Sequence, residues 1–503
     1  MNIHVMIRGI MCFLAIEAFF VQYVHSARVA GAKYPGLQLE REYQNGPEYT
    51  LLKSMNAAEQ ANIIALESLE PEKLHAMLSA ESSREIIGVP RSIKVLKEQR
   101  EGQWNKLAQG GYTSTFIFTS SGAAALRVGI AIDNLPSLAE LRFFKGNIVN
   151  DKAEIVVKGK EINRLIQLNK TAEPDNEYAD VYWSPIIEGE FLGVEIYIPQ
   201  DVKPNDVRID FPMLSHLAVS PFSLRKNQLI EQGYGDSDAC QNDATCYPSW
   251  LNMRNAVAKM FYTDSGFSYA CSGTLLNDAD PTTWTPYFIS ANHCIASQTV
   301  ASTLWTLWFF ESSACDGTTR NSNYTVRNGG ATLLWTGGTT ASNVDSNQDV
   351  SLFELLDTPP AGVYYAGWNS NSINEANLTG IHHPRGDWKK ISFGANGGNY
   401  KCYIAGAYFY CSSSSSGSFL KVNWTDGGTE TGSSGSGIFD NSNELVGVLK
   451  GGDGLCGAAG GASYYSKFSA AYSAGDLGQW LDTVPASGEE GSIVPILQLL
   501  LNQ

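Results

Sequence analysis

Three residues whose side chains could together perform acyl transfer occur in order in the second half of the chain: His293, Asp349 and Ser434. A serine hydroxyl becomes a strong nucleophile when a histidine takes its proton, and an aspartate can orient that histidine and stabilise the imidazolium that forms. The intervals are 56 residues (349 − 293) and 85 residues (434 − 349). Each residue alone is a weak signal, whereas the three together are far more specific.

The first two residues border apolar runs. His293 lies in "YFISANHCIAS" and is followed at once by Cys294, where a disulfide would pin the backbone of the histidine. A chance His-Cys pair is the alternative. Asp349 leads directly into "VSLFELL", so its carboxylate could be buried beside a histidine.

Ser434 lies in "TETGSSGSG", residues 429–437, and this run has two interpretations. Gly and Ser in series usually form a flexible linker. Gly432 and Gly435 also permit a tight turn that aims the N–H groups of Gly432 and Ser434 at one point, as an oxyanion hole requires. Together with the histidine and the aspartate, the run is predicted to be the turn of a nucleophilic serine.

Short strands must position these residues. From about Cys240 onward the chain is rich in Gly, Ser and Thr, with almost no helical periodicity before "SKFSAAYSAGDLGQWLDTV". The pattern predicts an all-β unit of roughly 250 residues, a length that suits two packed barrels, closed by a C-terminal helix.

The first half has a different pattern. Ala, Leu and Glu recur at helical spacing over residues 50–82, which predicts one or two short helices. Over residues 112–222, short β-branched and aromatic runs alternate with Gly, Pro, Asn and Asp, as in an antiparallel sandwich. The polar passage "RKNQLIEQGYGDSD" before Cys240 is the predicted boundary between the halves.

Composition limits the function. Hydrophobic residues make up 43% of the 503 residues and charged residues 17%, which is typical of globular domains. The net charge of −16 argues against a nucleic-acid surface. We expect no nucleic-acid partner, no cofactor and no metal ion.

The two ends of the chain are apolar. The start, "MNIHVMIRGIMCFLAIEAFFVQYVHSA", predicts a secretory signal peptide over residues 1–27, with an uncleaved anchor as the alternative because Glu17 interrupts the apolar stretch. The C-terminal tail, residues 486–503, ends in "SIVPILQLLLNQ", which is too short to span a bilayer. A packing segment or a surface-attachment tail is predicted there, and no stable membrane span is expected after signal cleavage.

The cysteines indicate export. Cys12 lies in the predicted signal peptide, which leaves eight cysteines, all after residue 239: Cys240, Cys246, Cys271, Cys294, Cys315, Cys402, Cys411 and Cys456. The sequence has no Cys-x-x-Cys pair or His-rich partner for zinc, so disulfides are predicted. Eight cysteines allow many connectivities, and the sequence alone does not choose among them.

Six motifs carry a resemblance to a known family. In order, "ISANHC", "QDVSLFELL", "YYAGWNSNS", "IHHPRGDWKKIS", "TETGSSGSGIFD" and "LVGVLKGG" closely resemble the bacterial lysyl-endopeptidase branch of the chymotrypsin-like serine proteases. The resemblance covers roughly half of the chain, up to about Leu481. It implies a double β-barrel with the site between the barrels, where His293 is general base and acid, Asp349 orients it and Ser434 is the nucleophile.

The resemblance implies further residue roles. It pairs Cys271 with Cys294, Cys240 with Cys456 and Cys246 with Cys315, and it leaves Cys402 to pair with Cys411 across a short hairpin. It also makes "VLKGG" the strand that pairs with substrate. Candidate substrate-binding residues are therefore Lys450, Gly451, Gly452 and, in the pocket wall, Ser463.

The chain departs from the family pattern at this pocket. Lysine preference in the family depends on an acid in the pocket wall, and Ser463 stands at the matching position. No Asp or Glu occurs between Asp453 and Asp476, and a lysine ammonium without a counter-charge is strongly disfavoured there. Lysine specificity is therefore not predicted, although Asp426 and Glu430 could line the pocket.

Three other residues have more than one interpretation. Lys450 stands where relatives often have histidine, and it is either an exposed strand lysine or a selector of acidic substrates. His382 and His383 in "IHHPRGD" suggest a metal site. Adjacent residues of a strand point to opposite faces, so we expect structural packing near the second barrel instead.

A second departure concerns activation. Ser433 occupies the position at which trypsin-type relatives carry an aspartate that captures a new N-terminal amine. Activation by that ion pair is not expected. Residues 28–232 are predicted to be a pro-region that assists folding or blocks the cleft until it is removed near residues 226–239, and a retained accessory domain is the alternative.

The sequence thus predicts a secreted serine endopeptidase, made as a preproprotein, that hydrolyses peptide bonds through an acyl-enzyme. Protein or peptide substrates and a monomeric enzyme are expected. Its protease domain is placed at residues 233–485. The source is expected to be bacterial, with retention at the cell surface as a further expectation. The rival hypotheses are a protease-fold binding or adhesin protein without turnover, and a structural β-sandwich surface protein.

Overall fold

The computed structural model describes residues 28–35, 61–79, 84–94, 103–108, 110–146, 153–222, 235–338, 347–373, 375–405, 408–454 and 461–483. The predicted signal peptide, the predicted C-terminal tail and Cys456 lie outside these residues. Within them, no helix is both long enough and apolar enough to cross a membrane.

Short strands make up most of the first half. In chain order they are β1 (Arg28–Val29), β2 (Ala32–Lys33), β3 (Asn62–Leu66), β4 (Glu85–Ser92), β5 (Asn105–Lys106), β6 (Tyr112–Ser120), β7 (Ala125–Asn134), β8 (Glu140–Lys145), β9 (Ile155–Lys158), β10 (Val181–Trp183), β11 (Ile187–Glu188), β12 (Phe191–Ile198) and β13 (Arg208–Leu217). The helices among them are α1 (Pro71–Leu78), α2 (Gly159–Ala172) and a 3₁₀ turn at Pro204–Asp206.

Two sheets of the first half face each other across an apolar core. One has the order β3-β6-β12-β8-β9, with β5 also paired to β6, and the other contains β10, β7, β13 and β4. The rings of Phe116 and Phe118 on β6 lie 4.7 and 4.9 Å from that of Phe211 on β13. All three side chains are buried. The predicted sandwich is confirmed.

Two elements of the first half differ from the sequence prediction. Residues 62–66 were predicted to be helical and form β3, because their consecutive isoleucines favour extended backbone and the segment pairs in parallel with β6. Among the described residues of this region, helix α1 agrees with the prediction. Helix α2 lies in the segment predicted to be β-rich, and it buries Ile162, Ile166 and Asn169 on one face.

The described residues of the second half form further strands and four short α-helices. The strands are β14 (Asn242–Asp243), β15 (Val257–Asp264), β16 (Phe267–Leu276), β17 (Tyr287–Ser290), β18 (Trp305–Trp308), β19 (Thr325–Arg327), β20 (Ala331–Gly337), β21 (Val350–Leu355), β22 (Tyr364–Tyr365), β23 (Trp368–Asn369), β24 (Asn377–His382), β25 (Lys390–Ala405), β26 (Tyr408–Ser413), β27 (Phe419–Asp426), β28 (Gly437–Phe439), β29 (Leu445–Gly452) and β30 (Ala462–Lys467). The α-helices are α3 (Leu251–Ala256), α4 (Gln298–Ala301), α5 (Phe468–Ala474) and α6 (Gly478–Leu481), and 3₁₀ turns lie at Ala244–Cys246, Pro248–Trp250 and Pro384–Gly386.

These strands form two six-stranded units. In the first, which we call the open barrel, the order is β18-β15-β16-β17-β21-β20. In the second, the closed barrel, β24, β25, β27, β30, β29 and β28 pair in that order, and β28 pairs back to β24. The predicted double β-barrel is confirmed, and the predicted C-terminal helix is divided into α5 and α6.

The two halves of the chain share one sheet. Strand β4 of the sandwich pairs with β13 on one side and with β16 of the open barrel on the other. The order β10-β7-β13-β4-β16-β15-β18-β19 therefore runs from the sandwich into the barrel without a break. Near the start of the described chain, β1 and β2 pair with β23 and β22 of the second half.

An apolar cluster, called here the interface cluster, lies where the sandwich meets the open barrel. It includes Ile186, Leu217 and Val219 from the first half and Phe261, Trp305 and Phe310 from the second. Beside it, the Arg127 guanidinium donates hydrogen bonds to the Thr263 hydroxyl at 2.9 Å and to the Thr303 carbonyl at 3.1 Å. The contact between the halves is therefore built like a protein core and not like a transient interface.

Disulfide bonds cross-link both barrels. Among the described cysteines, the structure contains the bonds Cys246–Cys315, Cys271–Cys294 and Cys402–Cys411. These are the pairs that the resemblance implies for the six residues. The remaining expected pair, Cys240–Cys456, includes a cysteine outside the described residues.

We expect Phe118→Ala to lower the free energy of unfolding by about 3–5 kcal/mol, because it removes a fully buried ring from the sandwich core. Phe191→Ala is the matched control, since Phe191 lies on β12 with 39% of its surface exposed. It should cost only about 0.5 kcal/mol. Urea unfolding followed by tryptophan fluorescence measures both variants, and equal midpoints would contradict this description of the core.

Candidate active site

The imidazole of His293 lies against the carboxylate of Asp349. His293 Nδ1 is 2.5 Å from Asp349 Oδ2, and the backbone N–H of His293 donates to Oδ1 at 2.8 Å. The backbone N–H of Asp349 in turn donates to Ser466 Oγ at 2.8 Å. The two carboxylate oxygens of Asp349 thus each contact His293, one at its backbone N–H and one at its ring. The proton of the neutral imidazole therefore lies on Nδ1.

Strand pairing explains why these two residues meet. His293 follows β17, and Asp349 directly precedes β21. The two strands are antiparallel, with Ser290 opposite Ser351, so the end of one lies beside the beginning of the other. The disulfide from Cys294 to β16 fixes the backbone next to the histidine.

Burial sets the charge state of this pair. Burial lowers the pKa of His293, and the attraction of Asp349 opposes that shift while Lys450 adds to it. Burial alone would raise the pKa of Asp349, but His293, Lys450 and the hydrogen bonds hold it below its usual value. At neutral pH the pair is thus a neutral imidazole beside a carboxylate, and its Nε2 can accept a proton.

Ser434 lies in a turn that packs on β16 and β17. Its carbonyl accepts a hydrogen bond from the N–H of Ser272 at 2.8 Å, and Ser272 Oγ donates to the Gly432 carbonyl at 2.9 Å. Gly432 and Gly435 have φ angles of 83° and 82°, and a Cβ at Gly435 would clash with Ser290 Oγ. The run is therefore a buried turn beside the strand that leads to the histidine, and the linker interpretation is wrong.

His382 fixes the residue before the serine. Its Nδ1 lies 2.7 Å from Ser433 Oγ, and its Nε2 lies 3.1 Å from Ser392 Oγ. Because Ser392 Oγ already donates to the Gly428 carbonyl, His382 donates from Nε2 and accepts from Ser433 at Nδ1. Burial lowers the pKa of His382 to about 3, so this histidine is neutral.

His383 is buried as well. Its Nδ1 donates to the Asp387 carbonyl at 3.0 Å, and burial lowers its pKa. Both histidines pack at the closed barrel, as the sequence predicts. The contact of His382 with the serine turn is a structural role that sequence reasoning missed.

Glu430 ties the start of the same turn to residues 238–241. It forms an ion pair with Arg385 and accepts hydrogen bonds from the N–H of Asp238 at 3.1 Å and from Gln241 Nε2 at 3.0 Å. The backbone N–H of Arg385 donates to the Thr431 carbonyl at 2.6 Å. Glu430, considered in the sequence analysis as a residue that could line the pocket, is therefore engaged by Arg385 and by residues 238–241.

The hydroxyl of Ser463 contacts two uncharged side chains. Trp424 Nε1 donates to Ser463 Oγ at 2.8 Å, and Thr429 Oγ1 lies 2.7 Å from the same oxygen. Both hydroxyl-bearing side chains are buried. Asp426, the other acid considered for the pocket, is exposed and accepts a hydrogen bond from Asn242 Nδ2 at 3.0 Å.

The predicted substrate-pairing residues lie at the end of β29. Lys450 is only 7% exposed, and its Nζ is 3.5 Å from Asp349 Oδ2. The exposed-lysine interpretation is therefore wrong. Gly451 has a φ of 140°, and Gly452 lies so close to β30 that a Cβ there would clash with the Ala462 carbonyl.

The first half reaches this site through the start of β4. Glu85 pairs with Ala270, the residue before Cys271. Thr431 hydrogen-bonds to the Glu85 carboxyl. Burial raises the pKa of this carboxyl, and the hydrogen bond and the nearby Arg385 oppose the shift.

Arg84 lies next to Glu85 and forms an ion pair with Asp264 at 2.8 Å. Its guanidinium also donates to Tyr269 Oη at 3.1 Å and lies 3.8 Å from the centre of that ring. Its positive charge contributes to the lowered pKa of His293. The first half of the chain therefore contacts both the serine turn and the surroundings of the histidine.

Two family models match this chain. The model described as lysyl endopeptidase, C-terminal domain, matches residues 234–466, and the model described as lysyl endopeptidase N-terminal domain matches residues 63–218. A lysyl endopeptidase of Pseudomonas aeruginosa is 35% identical over 391 residues, which is 74% of this chain and 76% of that protein. The matches cover the sandwich as well as the barrels.

Solved structures of serine proteases show a more distant similarity to this chain. The protease Anisep from Arthrobacter nicotinovorans is 15% identical with a TM-score of 0.31, covering 44% of this chain and 95% of its own. The thermostable serine protease AL20 from an extremophilic microorganism is 13% identical with a TM-score of 0.30, covering 44% and 94%. The family assignment depends on the sequence matches, which give no support to a binding protein without turnover. The chain belongs to the lysyl endopeptidase family and is a serine endopeptidase.

Proposed function

We propose that His293, Asp349 and Ser434 are the catalytic triad of this endopeptidase. Ser434 attacks the peptide carbonyl while His293 Nε2 takes its proton, and the leaving amine then receives that proton as the acyl-enzyme forms. Water releases the acyl group by the same route. The contact of 2.5 Å between His293 Nδ1 and Asp349 Oδ2 is the observation that carries this proposal, because it makes Nε2 the proton acceptor.

We also propose that the N–H groups of Gly432 and Ser434 form the oxyanion hole. The positive φ of Gly432 supports this assignment, because that backbone conformation suits a turn in which successive amides converge. One such donor is typically worth about 10²–10³ in turnover.

A fluorophosphonate probe should label the secreted, processed enzyme and leave Ser434→Ala unlabelled, because the reaction needs the activated hydroxyl. The kcat of Ser434→Ala should fall by about 10⁵–10⁶. Ser416→Ala, at an exposed serine outside the site, is the matched control and should label like the wild type. Labelling of Ser434→Ala at the wild-type rate would disprove the assignment of the nucleophile.

We propose that the residue before the scissile bond is uncharged and that lysine is not preferred. The relative from Pseudomonas aeruginosa is named a lysyl endopeptidase, but Ser463, Thr429 and Trp424 give this pocket wall hydroxyls and an indole. A lysine ammonium placed there would lose its hydration without gaining a counter-charge.

Cleavage of a peptide library followed by sequencing of the cut sites tests this specificity. Wild-type enzyme should cut mainly after uncharged residues, and Ser463→Asp should raise kcat/KM for lysine over glutamine by about 10²-fold through a new buried charge pair. Ser463→Asn is the control of matched shape and should not gain lysine cleavage. Predominant cleavage after lysine by the wild type would show that the proposal is wrong.

We propose that residues 28–232 act as an inhibitory pro-region that also assists folding. The pairing of Glu85 with Ala270 places β4 beside the disulfide that fixes the histidine. The hydrogen bond that the Glu85 carboxyl accepts from Thr431 lies next to the proposed oxyanion hole. In the proposed inhibition, these contacts of β4 keep substrate from the serine turn, and the interface cluster supports a role in folding.

Brief labelling with the same probe tests the proposed inhibition. The unprocessed precursor should be labelled more slowly than the processed enzyme. The Arg84→Ala/Glu85→Ala double variant of the precursor should be labelled about tenfold faster than the unaltered precursor, which corresponds to the free energy of one hydrogen bond to a charged group. Arg91→Ala is the matched control on β4, because Arg91 bonds to Ser120 within the sandwich. Equal labelling of precursor and processed enzyme would contradict inhibition by β4.

We propose that the enzyme is exported after removal of residues 1–27 and acts as a monomer outside a bacterial cell. The disulfides support export, because such bonds persist in oxidising compartments. The relative from Pseudomonas aeruginosa supports a bacterial source. Residues 486–503 would then be available for attachment to the cell surface.

A further inference from the structure

Lys450 has an unusual position for a charged side chain. Its Nζ lies 3.5 Å from Asp349 Oδ2, the same oxygen that meets His293 Nδ1. The Lys450 side chain is 6% exposed, and its Nζ is also 5.7 Å from the centre of the Phe409 ring. A carboxylate and an aromatic face are the partners that can compensate a buried ammonium.

We propose that Lys450 is a positioning residue of the triad, whose ammonium shares Asp349 Oδ2 with the imidazole and keeps His293 in its proton-accepting form in acidic medium. This inference rests on the roles proposed above for His293 and Asp349. It replaces both sequence interpretations of Lys450, the exposed strand lysine and the selector of acidic substrates.

The charges around the His293–Asp349 pair come from separate strands. The charge of Lys450 on β29 lowers the pKa of both His293 and Asp349. Arg84, next to β4, lowers the pKa of His293 while the first half is in place. Strand β30 contributes the neutral hydroxyl of Ser466, and Lys467 on the same strand directs its ammonium to a backbone carbonyl at Gly417, 3.1 Å away. Lys450 belongs to the second half, so removal of the first half would leave its contact with Asp349 in place.

The ammonium has a predictable effect on the histidine. Protonation of His293 would place a second positive charge beside Oδ2, and Lys450 opposes it. Burial and Lys450 lower the pKa of His293, and Asp349 raises it. A histidine whose pKa is lowered stays neutral to lower pH. The fall of kcat/KM on the acidic side of its pH profile, called here the acidic limb, therefore lies at lower pH with Lys450 than without it. Because the ammonium is buried, added salt should screen this effect only weakly.

The kinetic test compares three variants of the processed enzyme. Lys450→Met should move the acidic limb of kcat/KM upward by at least about half a pH unit, equally for neutral and acidic peptides. Lys450→Arg should restore the wild-type limb, because it restores the charge. Lys421→Met on β27 is the matched control, a strand lysine outside the site, and should leave the limb unchanged. Lys450→Gln serves the same purpose as Lys450→Met if the methionine variant is not secreted.

A second measurement does not depend on turnover. In the full-length Ser434→Ala chain, nuclear magnetic resonance should show His293 titrating at higher pH after Lys450→Met, with the resonances assigned by His293→Gln. An unchanged His293 titration would overturn the proposal, and so would a Lys450→Met effect confined to the KM of acidic peptides. Failure of the triad assignment would appear separately, as activity retained by Ser434→Ala.

Discussion

An ionised carboxylate that is only 1% exposed is the constraint on which the site depends. Asp349 stays charged in this position because the backbone N–H and the imidazole of His293 bind its two oxygens and Lys450 lies close by. Loss of any of these partners would leave a buried charge with too few contacts, which costs several kcal/mol. The pairing of β17 with β21 and the disulfide next to the histidine keep the partners in place.

The serine turn is held by a different kind of contact. At Ser433, a hydroxyl and the neutral imidazole of His382 replace the acid that trypsin-type relatives use. The carboxylate that is present, Glu430, lies three residues earlier and binds Arg385 and the backbone at residues 238–241. The turn is thus tied to residues 238–241 through side chains and internal amides.

Local patterns made part of this structure predictable. His293, Asp349 and Ser434 each lie at the edge of a recognisable run, and the sandwich and barrels follow from short apolar runs between turn residues. Helix α2 could have been found as well, because Ile162, Ile166 and Asn169 recur at helical spacing. The pairing of β4 with β16 could not be predicted in this way, because it is formed by backbone hydrogen bonds and these do not require particular side chains. The burial of Lys450 likewise depends on a carboxylate that is distant in sequence.

The interface cluster has a consequence for the lifetime of the enzyme. Phe261, Trp305 and Phe310 of the open barrel are buried against the first half, and a protease half separated from it would present these side chains to water. Such a domain has lost part of the apolar burial under which it folded. If the first half is removed as proposed above, the persistence of the protease half would depend on how slowly it unfolds and not on an equilibrium. A molecule that unfolds without the first half would then lack the partner on which its apolar side chains were buried.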